Sequence, residues 1–307
     1  MNKFALFTND VETTSIWHNQ LRDATGEKVL REGMPRLLEI YSKQNIKTTF
    51  FFTGTIARKF PDVVKMVTPN GHEVGCHGLL HETDLAFDVL SLEQQMDHLN
   101  QAKKILQDIS GEPVVSFRAP ALRVNQYTPK ALTETGFLID SSVAPQRFDM
   151  FMSFGSLKKM SWLTAPRLPY KTAPDNLLKK GEGPITEIPI SALLMPYIGT
   201  TLRIFPRMTR LLRYLLYLEN KRSAKPINFL FHPNEVIDES DEEQTFQKRA
   251  KNPISFILGD VIRSRLKIKN LGEKALTLLE KEITFFKDKN YQFTTLQEYC
   301  RINGFIK

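Results

Sequence analysis

Short β-like runs alternate with longer helix-like stretches along the whole chain, and this alternation limits the possible folds more than any other feature. Strands are expected at residues 4–8, 47–52, 73–75, 116–118, 137–140, 185–188, 227–231 and 292–294. The clearest helical periodicities cover 32–44, 92–108, 207–219 and 272–289, and Ser91 with Gln94 has the spacing of a capping box. Strand–helix alternation of this kind predicts parallel strands joined by right-handed crossovers. Seven or eight strands in 307 residues predict an α/β fold, a single distorted (β/α) barrel of mainly parallel strands, with an open doubly wound sheet as the alternative. No Gly/Ser-rich linker divides the sequence, so residues 1–307 read as one domain, with an irregular region at about 144–225 facing substrate or membrane.

Composition narrows the function classes. With 41% hydrophobic and 25% charged residues the chain can bury a core, which excludes disorder. A net charge of +8 favours an anionic partner without naming one, and no recognised nucleic-acid motif accompanies it. Cys76 and Cys300 cannot build a disulfide framework or a CxxC site, which suits a reducing compartment. The apolar run Phe4-Ala5-Leu6-Phe7 is too short for a signal peptide, and no run has the length of a membrane span, so a cytoplasmic location is expected. The acidic cluster at 238–243 reads as a solvated loop.

In a parallel barrel the C-terminal strand ends converge on one face. Polar residues collect at those positions: Asp10 and Glu12 after the first strand, His77 and His81 after the third, then Arg118, Asp140 and His232. The H-x-x-x-H spacing of His77 and His81 lets two imidazoles meet one ion, although an isolated pair is also an ordinary packing feature. Asp10 and Glu12 stand two apart, so on a strand both project to one side while Val11 points away. Two histidines and one carboxylate leave positions open for water and a substrate oxygen, a hydrolytic arrangement that suits zinc.

These residues sit in longer motifs. The run TTFFFTGTIARKFP followed by GHEVGCHGLLH resembles the metal-dependent polysaccharide deacetylases that share the chitooligosaccharide deacetylase (NodB) homology domain, carbohydrate esterase family 4. FRAP at 117–120, DSS at 140–142 and LFHP at 230–233 fall in the order of that family's later motifs. The resemblance implies a divalent cofactor, zinc before others, held by His77, His81 and Glu12, with Asp10 as catalytic base. Many members follow the base with a ligand aspartate; Val11 occupies that slot here, Glu12 matches a D-x-E variant, and the reverse split between Asp10 and Glu12 stays open. Gly78 replaces the hydroxyl residue common after the first metal histidine. The resemblance further implies that Arg118 contacts the base and favours its ionised form, that His232 is the general acid, and that Asp140 orients it. Pro120 and Leu230, inside FRAP and LFHP, are the implied substrate contacts.

The implied activity is metal-dependent amide hydrolysis, removal of an N-acyl group, acetyl first, from an amino sugar of a surface glycan or its lipid-linked precursor. TNDVET and REGMPRLLEIYSKQNIKTTFFF are similar to the branch that deformylates a lipid-linked formamido sugar at the cytoplasmic membrane face, which makes a polyprenyl-linked substrate and a peripheral inner-membrane site the finer expectation. A carbohydrate-binding pseudoenzyme is the remaining alternative, and nucleic acid is not an expected partner. Within 202–219, Met208, Leu211, Leu212, Leu215 and Leu218 follow helical spacing, with Arg207, Arg210 and Arg213 outside that stripe. The segment can rest on anionic lipid, but leucines in the core and arginines in water are the expected arrangement. Trp162, Tyr170 and Tyr197 are candidates for stacking on sugar faces, though aromatics are more often core residues.

Overall fold

The computed structural model describes residues 3–145, 162–223, 225–243 and 263–307. Among them, ten strands, numbered here in chain order, form one curled sheet: β1 Phe4–Val11, β2 Thr49–Phe52, β3 Glu73–Cys76, β4 Ser116–Phe117, β5 Ile139–Asp140, β6 Tyr170–Ala173, β7 Asn176–Lys180, β8 Thr186–Glu187, β9 Ile227–Phe231 and β10 Gln292–Phe293. They run in the order β9-β1-β2-β3-β4-β5-β8-β6-β7, with β10 also pairing β1. Pairing is parallel from β9 through β8 and antiparallel only where the β6–β7 hairpin is appended. Beyond β8, Ser191 donates its backbone N–H to the Asn228 carbonyl of β9 at 2.9 Å, and Asn228 Nδ2 donates to the Ile188 carbonyl at 3.0 Å. These bonds draw the ends of the parallel sheet together into the expected distorted (β/α) barrel.

All eight expected strands are present. Within this sheet the pair absent from the sequence reading is β6–β7, a short hairpin inside the irregular region; residues 146–161 and 224 of that region lie outside the described residues. The helix Leu92–Ser110 starts at the expected capping box, with Ser91 accepting from the Gln94 N–H, and stops at Gly111, whose φ of 71° ends the turn. Helix Met34–Lys43 is preceded by a π-helical turn, Val29–Gly33, and helices Pro206–Ser223 and Glu273–Lys287 complete the outer layer where the periodicity placed them.

Strand β1 shows how the sequence positions the site. Every residue of FALFTNDV is buried, as expected for a central parallel strand covered on both faces. Ala5, Phe7 and Val11 face outward into the main core beneath the helices, and Asn9, on the same side, accepts from Tyr41 Oη at 2.7 Å. Phe4 and Leu6 face inward and, with Phe51, Ile139 and Ile188, form an apolar floor. Thr8, Asp10 and then Glu12 continue that inner face upward, so period-two alternation carries the wall from apolar floor to polar mouth. Strand β9 repeats the pattern, with Ile227, Phe229 and Phe231 in the outer core and Asn228, Leu230 and His232 on the other side. On β3, Gly75 leaves room for the Phe51 ring, because a Cβ there would stand 2.6 Å from it.

Candidate active site

The base side of the mouth is organised by Arg118, which is fully buried just past the end of β4. Its Nη1 donates to Asp10 Oδ1 and to Thr8 Oγ1, both at 2.9 Å, while Nε and Nη2 donate to the carbonyl and hydroxyl of Ser141, each at 2.8 Å. The guanidinium also lies 4.5 Å from the centre of the Phe51 ring. Planar, forked donation of this kind fixes one carboxylate oxygen of Asp10 and leaves the other, Oδ2, 3.8 Å from His77 Nε2.

Glu12, His77 and His81 converge above Asp10, with donor atoms within 4.8 Å of one another. His77 Nδ1 lies 2.8 Å from the Arg118 carbonyl, so that nitrogen carries the proton and Nε2 presents its lone pair to the site. Burial lowers the His77 pKa despite the nearby Asp10, which favours the neutral form a ligand requires. Glu12 Oε2 is buried and accepts no hydrogen bond, although His81 Nε2 stands 2.8 Å away. Burial opposes the Glu12 charge, yet His81, with His232 and His77, holds its carboxyl well below the usual carboxylate range; reciprocally, Glu12 outweighs burial and raises the His81 pKa. A buried carboxylate oxygen without a hydrogen-bond donor, between two imidazoles, fits the nitrogen and oxygen donor set of a divalent ion such as zinc.

The acid side departs from expectation. His232 follows β9 at the mouth, but the carboxylate on its Nδ1 is Glu235, whose Oε1 lies 3.3 Å away, and not Asp140. The reason is strand parity. Asp140 pairs in register with Phe117 and Glu187, and Phe117 faces the outer core, so the inward residue of the DSS motif is Ser141, the one that holds Arg118. Asp140 instead accepts from Ser142 Oγ at 2.6 Å, and that hydroxyl accepts from the Ala119 N–H at 2.9 Å, bracing the FRAP turn. Burial raises the Asp140 pKa and, reinforced by Asp140, lifts Glu187 well above its ordinary value, which disfavours a doubly charged pair. For His232, burial is outweighed by Glu235, Asp10 and Glu12, which raise its pKa and favour the protonated form.

Other expectations resolve as follows. Pro120 is buried against Gly78, where a Cβ would stand 3.2 Å from Pro120 Cγ, and Leu230 packs with Leu122, Ala144, Trp162 and Ile190. Trp162, Tyr170 and Tyr197 are all buried, with the Tyr170 and Tyr197 hydroxyls donating to the Leu177 carbonyl and to Glu282, so they act as core residues rather than exposed sugar platforms. The 238–243 cluster is no simple solvated loop: Glu239 is buried and accepts from Thr25 at 2.8 Å, while Glu242 accepts from Arg22 at 2.7 Å and Lys28 at 2.8 Å. On helix Pro206–Ser223 only Leu212 of the five-residue stripe is buried; Met208, Leu211, Leu215 and Leu218 are exposed, contrary to the core arrangement expected. Among the described residues, no helix is long and apolar enough to cross a membrane.

Comparison with known proteins bears on the first half of this architecture. The family model described as polysaccharide deacetylase matches residues 11–139, a span that includes Glu12, His77, His81 and Arg118. The chain is 31% identical over 116 residues to the peptidoglycan deacetylase of Helicobacter pylori, covering 38% of this chain and 39% of that protein. It is 34% identical over 116 residues to the peptidoglycan deacetylase-like protein FGM2 of Gibberella zeae, covering 37% and 33%. The matches thus span about two-fifths or less of these relatives. A solved structure from Mycobacterium smegmatis, described as a polysaccharide deacetylase, superimposes with a TM-score of 0.61 over 98% of this chain and 90% of that one at 17% identity, a likeness of fold. The matched residues include Glu12, His77, His81 and Arg118; Asp10 stands one residue before them, and His232 and Glu235 come from β9 and the turn after it, beyond them.

Proposed function

We propose that this protein is a metal-dependent hydrolase that removes an N-acyl group, acetyl first, from an amino sugar of a surface glycan or its precursor. The observation that carries the reading is the convergence of a buried, arginine-held Asp10 with His232, whose Nδ1 meets the Glu235 carboxylate, beside the Glu12, His77 and His81 donor set. Glu12, His77 and His81 would hold the ion, which when bound supplies Lewis-acid polarisation of the amide carbonyl and acidifies a water.

Amides are poor electrophiles with poor leaving groups, so the chain must move two protons. Asp10 Oδ2, free of the Arg118 fork, takes a proton from water as its oxygen bonds to the acyl carbon. His232 then delivers its proton to the nitrogen as the C–N bond breaks, leaving a carboxylic acid and a free amine. A base that must be ionised and an acid that must be protonated give a bell-shaped dependence of rate on pH.

The precursor could be polyprenyl-linked, and the exposed apolar face of helix Pro206–Ser223 supports contact with an anionic membrane. Met208, Leu211, Tyr214, Leu215 and Leu218 are exposed, and the exposed Arg207, Arg210, Lys221 and Arg222 on the same helix match negative lipid headgroups. The deciding experiment measures acetate and formate release from free and lipid-linked N-acyl sugars by zinc-loaded protein, a chelated control and Asp10→Asn. Release that chelation and the substitution both abolish supports the hydrolase and identifies its acyl group; release unaffected by either overturns it.

A further inference from the structure

The acid side of the site contains a charged residue that the sequence motifs did not single out. Glu235 is completely buried in the turn after β9, three residues beyond His232. Its Oε1 receives His232 Nδ1 at 3.3 Å and Thr200 Oγ1 at 3.1 Å, and its Oε2 faces Arg203 Nε at 3.3 Å. Arg203, itself 1% exposed, is anchored by Nη1 donation to the carbonyls of Lys267 and Lys269, both at 2.7 Å. Gly199 completes the enclosure, since a Cβ there would lie 2.0 Å from Glu235 Oε2. A carboxylate held by an arginine, a hydroxyl and a glycine-lined wall has few other positions to occupy.

We propose that Glu235 is the positioning residue of His232, fixing its Nδ1 so that Nε2 is the nitrogen presented to substrate. The inference rests on the reading of His232 as general acid and replaces Asp140, which strand parity turns to the outer face. An imidazole whose Nδ1–H is fixed by a carboxylate keeps one tautomer and one ring orientation, and the buried negative charge stabilises the imidazolium that must donate. Arg203 keeps Glu235 ionised against its burial, so the three side chains form a chain running from the 267–269 backbone to the mouth of the barrel. The other charged groups facing His232 are Asp10 and Glu12 on the β1 side and His81 across the mouth.

The test follows the His232 titration by 15N NMR of histidine side chains in zinc-loaded wild type, Glu235→Gln, Glu235→Asp and Asp140→Asn, alongside kcat and KM on the N-acyl sugar panel. Glu235→Gln should lower the His232 pKa by about one unit or more, because a neighbouring opposite charge is removed. The basic limb of kcat should move down with it, and kcat should fall roughly 100-fold while KM stays within about twofold. Glu235→Asp keeps the charge opposite Arg203 but withdraws it from Nδ1, so it remains readable if the amide variant unfolds, and it should give a smaller shift in the same direction. Asp140→Asn should leave the His232 pKa in place. An unchanged His232 titration in both Glu235 variants, or a shift caused by Asp140→Asn, overturns the proposal. A shifted titration with a substrate panel that wild type leaves intact supports the Glu235 pairing and overturns only the hydrolase reading.

Discussion

Two buried arginines, Arg118 and Arg203, each hold a carboxylate, but they do so differently. Arg118 spends Nε, Nη1 and Nη2 on four hydrogen bonds to Ser141, Thr8 and Asp10, and lies over the Phe51 ring. Arg203 is anchored to backbone carbonyls through Nη1, while its Nε faces Glu235 Oε2 at 3.3 Å without the alignment of a hydrogen bond. The first arginine makes an over-determined joint. The second holds its carboxylate through one less directional ion contact, and that carboxylate in turn meets His232 Nδ1.

The largest effect should come from breaking the tighter joint. Arg118→Met strands Asp10 as a buried, unpaired carboxylate and should cost about 3–5 kcal/mol in urea unfolding. Arg203→Met removes a looser contact and should cost clearly less; equal losses would erase the distinction between the two sides.

Next in size is metal affinity. Glu12→Gln keeps the shape of the orphaned oxygen but removes its charge, and should weaken zinc retention by at least about tenfold against a chelator of known affinity. Unchanged retention would remove Glu12 from the donor set. Asp10→Asn, which keeps an oxygen for the Arg118 fork, should retain zinc much better than Glu12→Gln does, and the reverse order would exchange the two roles.

The acid side carries a pH signature. His232 has a raised folded-state pKa, so its stabilisation is present in full below the unfolded value of about 6.5 and fades as pH rises through the folded value. Glu235 has a lowered one, so its share is present above the unfolded value of about 4.3 and fades as pH falls through the folded value. The two shifts agree. A double-mutant cycle of His232→Gln and Glu235→Gln should therefore show its largest coupling between roughly pH 4.5 and 6.5, on the order of 1 kcal/mol, with a decline above that window. Coupling that is flat across pH would mean the contact is not ionic.

The smallest effect on folding belongs to the exposed helix face. Leu211→Glu with Leu215→Glu should change unfolding stability by less than about 1 kcal/mol, because both side chains already meet solvent. The same pair should abolish sedimentation with vesicles containing anionic lipid. Equal sedimentation of wild type and variant would remove this face as a membrane contact.

What the sequence made legible follows physical range. Strands and helices with strong periodicity were readable because period and burial coincide, as in β1 and in Leu92–Ser110 with its capping box. The Asp10 and Glu12 pair and the two histidines stood out because short spacing fixes which side chains share a face. Asp140 was misread because motif order says nothing of parity: one step along β5 exchanges an outward carboxylate for the inward Ser141. Glu235 was marked only by its i, i+3 spacing from His232, and its meaning depends on Arg203 and Gly199, over 30 residues away in sequence. The β6–β7 hairpin gave no clear signal because Asn176, Lys179 and Lys180 break its apolar alternation. The leucines of Pro206–Ser223 had helical spacing, but spacing alone does not say whether a stripe meets core or solvent.

Strand β1 behaves like a reading frame. Its even-numbered positions run from the apolar floor at Phe4 and Leu6 to the arginine-bound Thr8 and Asp10, with Glu12 following just past its end, and its odd-numbered positions spell the packing beneath the helices. Such a strand can exchange one aliphatic residue for another at Ala5 or Val11 and keep its message. It cannot lose a single residue between Leu6 and Asp10, because every later side chain would then change sides and the site would be turned inside out. Drift along this part of the chain is therefore free to proceed by substitution and closed to deletion.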